Sequence, residues 1–415
     1  MERALSVTVD FGKREAWTAE ERAQELAELA RSAGVKVVEE IIVHRHEPSP
    51  ACFIGSGKAE ELGKVCADSR INAVIFNNDL TGTQQKNLEE IIMAKTIDRT
   101  QLILDIFAQR AHSNEGKIQV ELAQLMYLLP RLSGKGIHLS RLGGGIGTRG
   151  PGEQKLEVDR RRIRSRITRL KDELEHLSQR RAMMRKKRQR FSMLTVALIG
   201  YTNVGKSTLL NALTDAQVVV QDKLFSTLDP TVRRFVLPNK QKALFIDTVG
   251  FLNDLPHNLV EAFKATLEEV VNADLLLHLV DVSHPKAAEQ SEAVYRVLKE
   301  IGAEEKPVLT VLNKADMVRD EARISRMKKL FDTGIVISAL KKEGFAGLIE
   351  KVEAHVNALI TTARLAIPAS DAKTLSFIYE HGLVTKMEYR GDKAYIEAVL
   401  PIRIKEALEE DLKRR

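Results

Sequence analysis

The sequence predicts an α/β chain of several units, and three observations carry the prediction. A short apolar run at 195–199 breaks into the glycine loop Gly200-Tyr201-Thr202-Asn203-Val204-Gly205-Lys206-Ser207-Thr208 and continues as a helical run to Leu213. Residues 1–112 alternate β-branched runs with amphipathic helices, the pattern of a parallel sheet. Between 113 and 191 apolar residues recur at 4-3-4 spacing and basic residues dominate. The expected layout is an N-terminal parallel α/β domain (1–112) and a long basic antiparallel helical hairpin (113–191) with a glycine-rich tip loop at 133–152. A P-loop domain with a mixed or parallel sheet flanked by helices (192–360) and a small C-terminal α+β domain, read as αββα (361–415), follow.

Bulk properties bound the class. At 415 residues, 44% of them apolar, the chain is long enough for several cores. Two cysteines, Cys52 and Cys66, are too few for a disulfide framework, which points to a reducing cytoplasm. No run reaches the ~18 apolar residues of a membrane span. The net charge of +7 is unevenly spread: residues 131–190 carry 19 Lys/Arg against 6 Asp/Glu, so the rest of the chain is net acidic. A basic stripe of this kind points first to nucleic acid and second to an anionic membrane surface.

In the N-terminal unit, strands are expected around 7–9, 35–38 and 73–76, with helices at 19–31 and 84–94. Gly55-Ser56-Gly57-Lys58 invites a phosphate-loop reading but lacks the full frame, so a turn before a helix at 59–66 is preferred over a second nucleotide site. His44 and His46 alternate on a strand with no third ligand in view, and read as a solvated face.

Ile118, Leu122, Leu125 and Leu129 form one seam, and Ile163, Ile167, Leu170, Leu174, Leu177 and Met184 form another. Two such helices joined by a loop predict the hairpin, its second helix running roughly 55 Å from Glu153 to Arg190. The loop carries Lys135, Arg141, Gly143, Gly144, Gly145 and Arg149 with no acid, and glycine permits close backbone approach to a partner. Arg160, Arg161, Arg162, Arg164, Arg166 and Arg169, then Arg180, Arg181, Arg185, Lys186, Lys187, Arg188 and Arg190, make phosphate of RNA the expected ligand of this segment.

The glycine loop between strand and helix is a P-loop: backbone N–H groups converge on an anion, Lys206 bridges the outer phosphates and Ser207 places its hydroxyl on Mg²⁺. Asp247-Thr248-Val249-Gly250 ends an apolar strand, with Asp247 expected to hold Mg²⁺ through water and the Gly250 amide to sense the γ-phosphate. Phe225-Ser226-Thr227-Leu228-Asp229-Pro230 lies between them; Thr227 is the expected switch threonine and Thr231 its competitor. Asn313-Lys314-Ala315-Asp316 follows another apolar strand, and the Asp316 carboxylate can accept from both N1–H and the exocyclic amine of guanine. Ser338-Ala339-Leu340 follows a further strand, where a backbone amide could meet guanine O6. Four motifs in this order, each at a strand end, specify a P-loop GTPase domain with GTP/GDP and Mg²⁺ as ligands. Phe251 stands where many small GTPases place a water-orienting glutamine, and phenylalanine has neither donor nor acceptor. Intrinsic hydrolysis is therefore expected to be slow without a partner. Arg233 and Arg234 are candidate charge stabilisers, with a plain basic surface preferred. Arg390-Gly391-Asp392 reads as a hairpin turn.

Gly144-Gly145-Ile146-Gly147-Thr148-Arg149-Gly150-Pro151-Gly152-Glu153, followed by Leu156-Glu157-Val158-Asp159-Arg160-Arg161, resembles the glycine-rich signature of the HflX GTPases. Ile97-Asp98-Arg99-Thr100, the run from Leu102 to Ala111, and the stretches 200–208, 225–230 and 247–251 resemble the same family, over residues 1 to about 400. Gln154-Lys155 departs from the family's more frequent Thr-Gln; Phe251 agrees with its hydrophobic substitution. The resemblance implies a ribosome-associated translational GTPase that binds the large ribosomal subunit. It further implies a hairpin tip inserted toward the peptidyl-transferase region of the rRNA, splitting of stalled ribosomes under stress, and ribosome-stimulated hydrolysis. Some members are reported to hydrolyse ATP through the N-terminal region, which keeps ATP open as a second nucleotide. Nothing demands more than a monomer. An RNA-remodelling GTPase, a protein-signalling switch and a peripheral membrane role remain as alternatives, the last disfavoured because the aliphatic seam is already committed to a partner helix.

Overall fold

The computed structural model describes residues 2–12, 16–132, 151–190, 194–214, 224–225, 227–239, 241–254, 256, 259, 263–331, 334–358 and 360–414. The first unit is a parallel four-stranded sheet ordered β2-β1-β3-β4, built from β1 (Arg3–Asp10), β2 (Lys36–His44), β3 (Ala73–Phe76) and β4 (Lys95–Asp98). Helices α1 (Ala19–Ser32), α2 (Ser56–Asp68), α3 (Gly82–Ile92) and α4 (Arg99–Arg110) accompany it. Thr18 with Glu21 and Thr81 with Gln84 form capping boxes that start α1 and α3. β4 and α4 extend beyond the strands and helices expected from patterning. Leu102, Ile103, Leu104, Ile106 and Phe107 of α4 are all buried, so the helix lacks the one-sided period that marks an amphipathic helix.

α5 (Asn114–Arg131) and α6 (Pro151–Arg190) form the hairpin, and at 40 residues α6 runs ~60 Å. Ile118, Leu122 and Leu170 are buried between them, with Leu125, Met126, Ile167, Leu174 and Leu177 alongside. Glu121 accepts a two-pronged bond from Arg166 at 2.7 and 2.8 Å. The tip, 133–150, and with it Arg141, Gly143, Gly144, Gly145 and Arg149, lies outside the described residues.

The third unit is a six-stranded sheet ordered β10-β9-β8-β5-β7-β6. Its strands are β5 (Leu194–Gly200), β6 (Thr231–Val236), β7 (Lys242–Asp247), β8 (Leu275–Asp281), β9 (Val308–Asn313) and β10 (Ile335–Val336); only the edge strand β6 is antiparallel to its neighbour. Helices α7 (Lys206–Thr214), α8 (Lys264–Asn272), α9 (Ala287–Glu300), α10 (Glu321–Leu330) and α11 (Phe345–Asn357) belong to it. Parallel strands end together, so the loops after β5, β7, β8 and β9 collect along one edge, where open α/β sheets bind ligands.

The last unit corrects the αββα expectation. It is β11 (Ile360–Pro368), α12 (Ala372–His381), β12 (Leu383–Arg390), β13 (Lys393–Pro401) and α13 (Ile402–Arg414), an antiparallel sheet ordered β11-β13-β12. The extra strand β11 buries Ala363, Leu365 and Ile367 at every second position. Gly391 and Asp392 form the two-residue turn between β12 and β13, with Gly391 at φ +61°.

Candidate nucleotide site

The loop after β5 wraps the start of α7, and the ends of β7 and β9 close around it in a cleft of about 320 Å³. Thr202, Asn203, Gly205, Lys206, Ser207 and Thr208 line it from the P-loop, Phe225, Thr227, Thr248 and Gly250 from one side, and Asn313, Lys314, Asp316, Ala339 and Leu340 from the other. Met317, which sequence reasoning missed, joins them as an exposed thioether beside Asp316. Gly200, Tyr201, Val204, Asp247, Val249, Phe251 and Ser338 are not among the lining residues, and Ser226 lies outside the described residues.

At one end lies an oxygen cluster. Ser207 Oγ donates to Asp247 Oδ2 at 2.6 Å and lies 2.9 Å from Thr227 Oγ1, which is itself 3.1 Å from Asp247 Oδ2. Asp247 is fully buried, its Oδ1 has no hydrogen-bond partner, and burial raises its pKa. Three oxygens and an unpaired carboxylate atom form a donor set for a hard divalent cation, so Mg²⁺ fits these residues. Thr231 opens β6 directly opposite Asp247 in the antiparallel ladder and is not among the residues lining the cleft.

Lys206 is 6% exposed, and Nζ donates to the carbonyls of Gly200 (3.2 Å) and Tyr201 (2.7 Å). Burial lowers its pKa to about 8, against the pull of Asp247. Gly250 lies so close that a Cβ there would sit 2.8 Å from Thr202 Cα and 3.1 Å from Lys206 Nζ, so only glycine lets the chain pass this near the lysine. Phe251 donates its amide to Gly200 O at 3.1 Å and accepts from Thr202 N at 2.8 Å; its side chain is buried and lines an apolar pocket together with Phe107, Phe225 and Phe263. It orders chain and core and offers water nothing.

At the other end Asn313 works as a brace. Its Nδ2 donates to Val204 O at 2.7 Å and its Oδ1 accepts from the Ala339 amide at 3.0 Å, tying three loops together. Lys314, at φ +62°, turns Nζ to Asp281 at 2.7 Å. The Ser338 amide is engaged with Glu343 O at 3.1 Å. Arg233 and Arg234 are exposed on β6 and line no part of the cleft.

Sequence reasoning missed the cage behind the P-loop. Tyr201 turns away from the cleft and stacks on Trp17; its hydroxyl donates to Glu25 and accepts the Asn253 amide at 2.8 Å. Arg99 joins Glu25 at 2.5 Å and Asn253 O at 2.8 Å. These residues are far apart in sequence, and no local signal could have joined them.

On the hairpin, Arg161, Arg162, Arg164 and Arg169 are exposed and Arg160 is half-buried. Arg166 and Arg181, counted in the basic stripe, are held internally: Arg166 by Glu121, and Arg181 by Glu115 at 2.8 Å and Glu268 at 3.4 Å. Lys186, Lys187 and Arg188 continue α6. Among the described residues, no helix is long and apolar enough to cross a membrane.

A parallel sheet whose strand ends gather a P-loop lysine, a serine–threonine–aspartate cluster and an Asn-Lys-x-Asp loop defines a P-loop GTPase. Family models agree along the chain: GTP-binding GTPase N-terminal over 20–108, GTP-binding GTPase Middle Region over 110–188, 50S ribosome-binding GTPase over 195–314 and HflX C-terminal domain over 324–415. GTPase HflX of Caldanaerobacter subterraneus subsp. tengcongensis is 46% identical over 98% of this chain and 93% of its own. GTPase HflX of Escherichia coli K12 is 43% identical over 91% of this chain and 89% of its own. A solved SsGBP–GDP complex, 26% identical, covers 86% of this chain and 99% of that one with a TM-score of 0.50. The chain belongs to the HflX family of GTPases and is a GTP-hydrolysing enzyme.

Proposed function

We propose that the cleft takes GTP with its phosphates on the P-loop and its base against Asp316, and that the chain acts with the ribosome. Ser207 and Thr227, with Asp247 through water, would hold Mg²⁺, which would supply positive charge against the phosphates. Lys206 would leave the Gly200 and Tyr201 carbonyls for those phosphates, the Gly250 amide would meet the γ-phosphate, and Asp316 would select guanine over adenine. The observation that carries this reading is one cleft with Lys206 and the oxygen cluster at one end and the Asn313–Asp316 loop at the other.

Two features support a large-subunit partner: the 50S ribosome-binding description of the matched model, and the arginines exposed along α6. In this reading the chain is a cytoplasmic monomer. The hairpin at 113–191 anchors on rRNA, residues 133–152 reach toward the peptidyl-transferase region, and the GTP state drives splitting or rescue of stalled ribosomes under stress. Phe251 leaves the attacking water to be ordered by that partner.

The test is steady-state GTP hydrolysis with and without purified large ribosomal subunits, with Lys206→Ala as the blank. Stimulation of at least ~100-fold is the expected result for a partner that completes the catalytic site. Good GTP binding without stimulation would overturn the ribosomal role. Binding to naked RNA with a log–log salt slope near −4, as about six phosphate contacts demand, would then favour RNA remodelling.

A further inference from the structure

Two residues beyond Thr227, Asp229 reaches out of the nucleotide unit and takes hold of the hairpin. Its carboxylate accepts from the backbone amides of His112 at 3.0 Å and Ser113 at 2.8 Å, and from the Ser113 hydroxyl at 2.5 Å. Ser113 is the N-cap of α5, its own oxygen accepting from the Gly116 amide at 2.8 Å. The carboxylate thus meets the positive end of the helix dipole through charge-assisted bonds. The fit leaves no spare room, since a Cβ at Gly116 would lie 2.4 Å from Asp229 Oδ1.

The far end of α5 is fastened elsewhere. Tyr127 and Arg131 both bond Asp98, at 2.9 Å, and Arg131 also bonds Leu80 O at 2.7 Å, all within the N-terminal unit. Asp229 is therefore a link between the chain segment carrying Thr227 and the start of the helix that leads to the tip loop. Here Thr227 sits against Ser207 and Asp247 while Asp229 grips α5.

We infer that Asp229 is the coupling residue that reports the nucleotide state to the hairpin. With Thr227 closed over the metal and γ-phosphate, Asp229 clasps α5; when Thr227 withdraws after hydrolysis, the clasp opens and the start of α5 is freed from the nucleotide unit, leaving the hairpin to pivot on the contact of α6 with Glu268. The two sites are the cleft and the hairpin, and the differential contact is the trio of bonds at Asp229. The inference rests on the reading of Thr227 as the residue that closes on GTP.

The experiment uses the full chain with spin labels at the exposed positions Glu175 on α6 and Lys328 on α10, comparing distance distributions with GDP and with a non-hydrolysable GTP analogue. Asp229→Asn removes the charge. Gly116→Ala leaves every bonding group in place and obstructs the carboxylate, and alanine is the better helix former, so the helix itself survives. The wild type is expected to give two nucleotide-dependent distributions. Both variants are expected to give one distribution with either nucleotide, keep analogue affinity within about twofold, and lose about tenfold of any coupling between nucleotide and large-subunit binding. A wild-type shift in both variants, or no shift in the wild type, overturns the coupling role. A Thr227→Ala variant that still responds to the analogue overturns the reading beneath it.

Discussion

Gly55-Ser56-Gly57-Lys58 and Gly205-Lys206-Ser207 share residue types, and each stands at the start of a helix, yet the two lysines are placed for different purposes. Lys58 lies along the surface and pairs with Glu61 at 2.6 Å. The space before Gly55 is taken by Arg45, which donates to Ile54 O at 2.8 Å and would lie 3.1 Å from a Cβ at Gly55. Lys206 is buried, folded back over its own loop with its charge facing an aspartate, and Ser207 beside it joins the oxygen cluster. Composition alone does not make a phosphate site. The four residues between Gly200 and Gly205 return the lysine over the loop, and Gly55 has no such frame before it.

The largest contrast is expected from removing each lysine. Lys206→Ala should weaken binding of a fluorescent GTP analogue by at least ~100-fold, as befits the loss of a buried charge on phosphate, whereas Lys58→Ala should change it less than about twofold. Equal effects would mean that the two lysines serve the nucleotide alike. Acidity sharpens it further. Lys206 has a pKa lowered to about 8 by burial, and bound phosphate raises it again, so binding takes up a proton above that pH. Affinity should be full below about pH 8 and fall by up to about tenfold per unit as pH rises through the free chain's pKa, which titration calorimetry in buffers of differing ionisation enthalpy would reveal. Lys58→Ala should leave that profile unchanged.

Smaller effects separate backbone from chemistry. Gly55 holds φ +86° with ψ 155°, a region essentially reserved for glycine, so Gly55→Ala should cost about 1–3 kcal/mol of stability, read by thermal denaturation, with GTP affinity untouched. At the true loop, Thr202 Oγ1 is buried with no partner. Thr202→Val should therefore raise the melting temperature of the nucleotide-free chain by a few degrees, for about 1 kcal/mol gained. A lower melting temperature would mean that the hydroxyl is satisfied in solution.

What could be read from the chain follows the range of the interactions. The P-loop, Asp247–Gly250 and Asn313–Asp316 are local sequences at strand ends, and they reach one cleft because parallel strands end on one edge. The hairpin seam was legible through its period, though Leu129 lies half-exposed beyond the buried trio Ile118, Leu122 and Leu170. Helix α4 was not, because burial on most sides removes the period. β11 was hidden differently: Ala363, Leu365 and Ile367 alternate clearly, but their sheet partners lie some 30 residues on, in β13. The cage of Glu25, Arg99, Tyr201 and Asn253 is wholly a product of tertiary packing, as is the contact of Asp229 with Ser113.

The fastening of Arg131 has a practical meaning for protein engineers. The incoming helix is locked to Leu80 and Asp98 one residue short of its C-cap, and a Cβ on Gly82 would strike the Arg131 backbone at 2.9 Å. Both helices of the hairpin are also zipped by their own seam and by the Glu121–Arg166 clasp. The frame on either side of residues 133–150 is thus fastened by contacts that lie outside that segment. A foreign loop spliced there would meet one helix already anchored at its end and a pair already zipped along its seam, which makes the position the place to try such a graft.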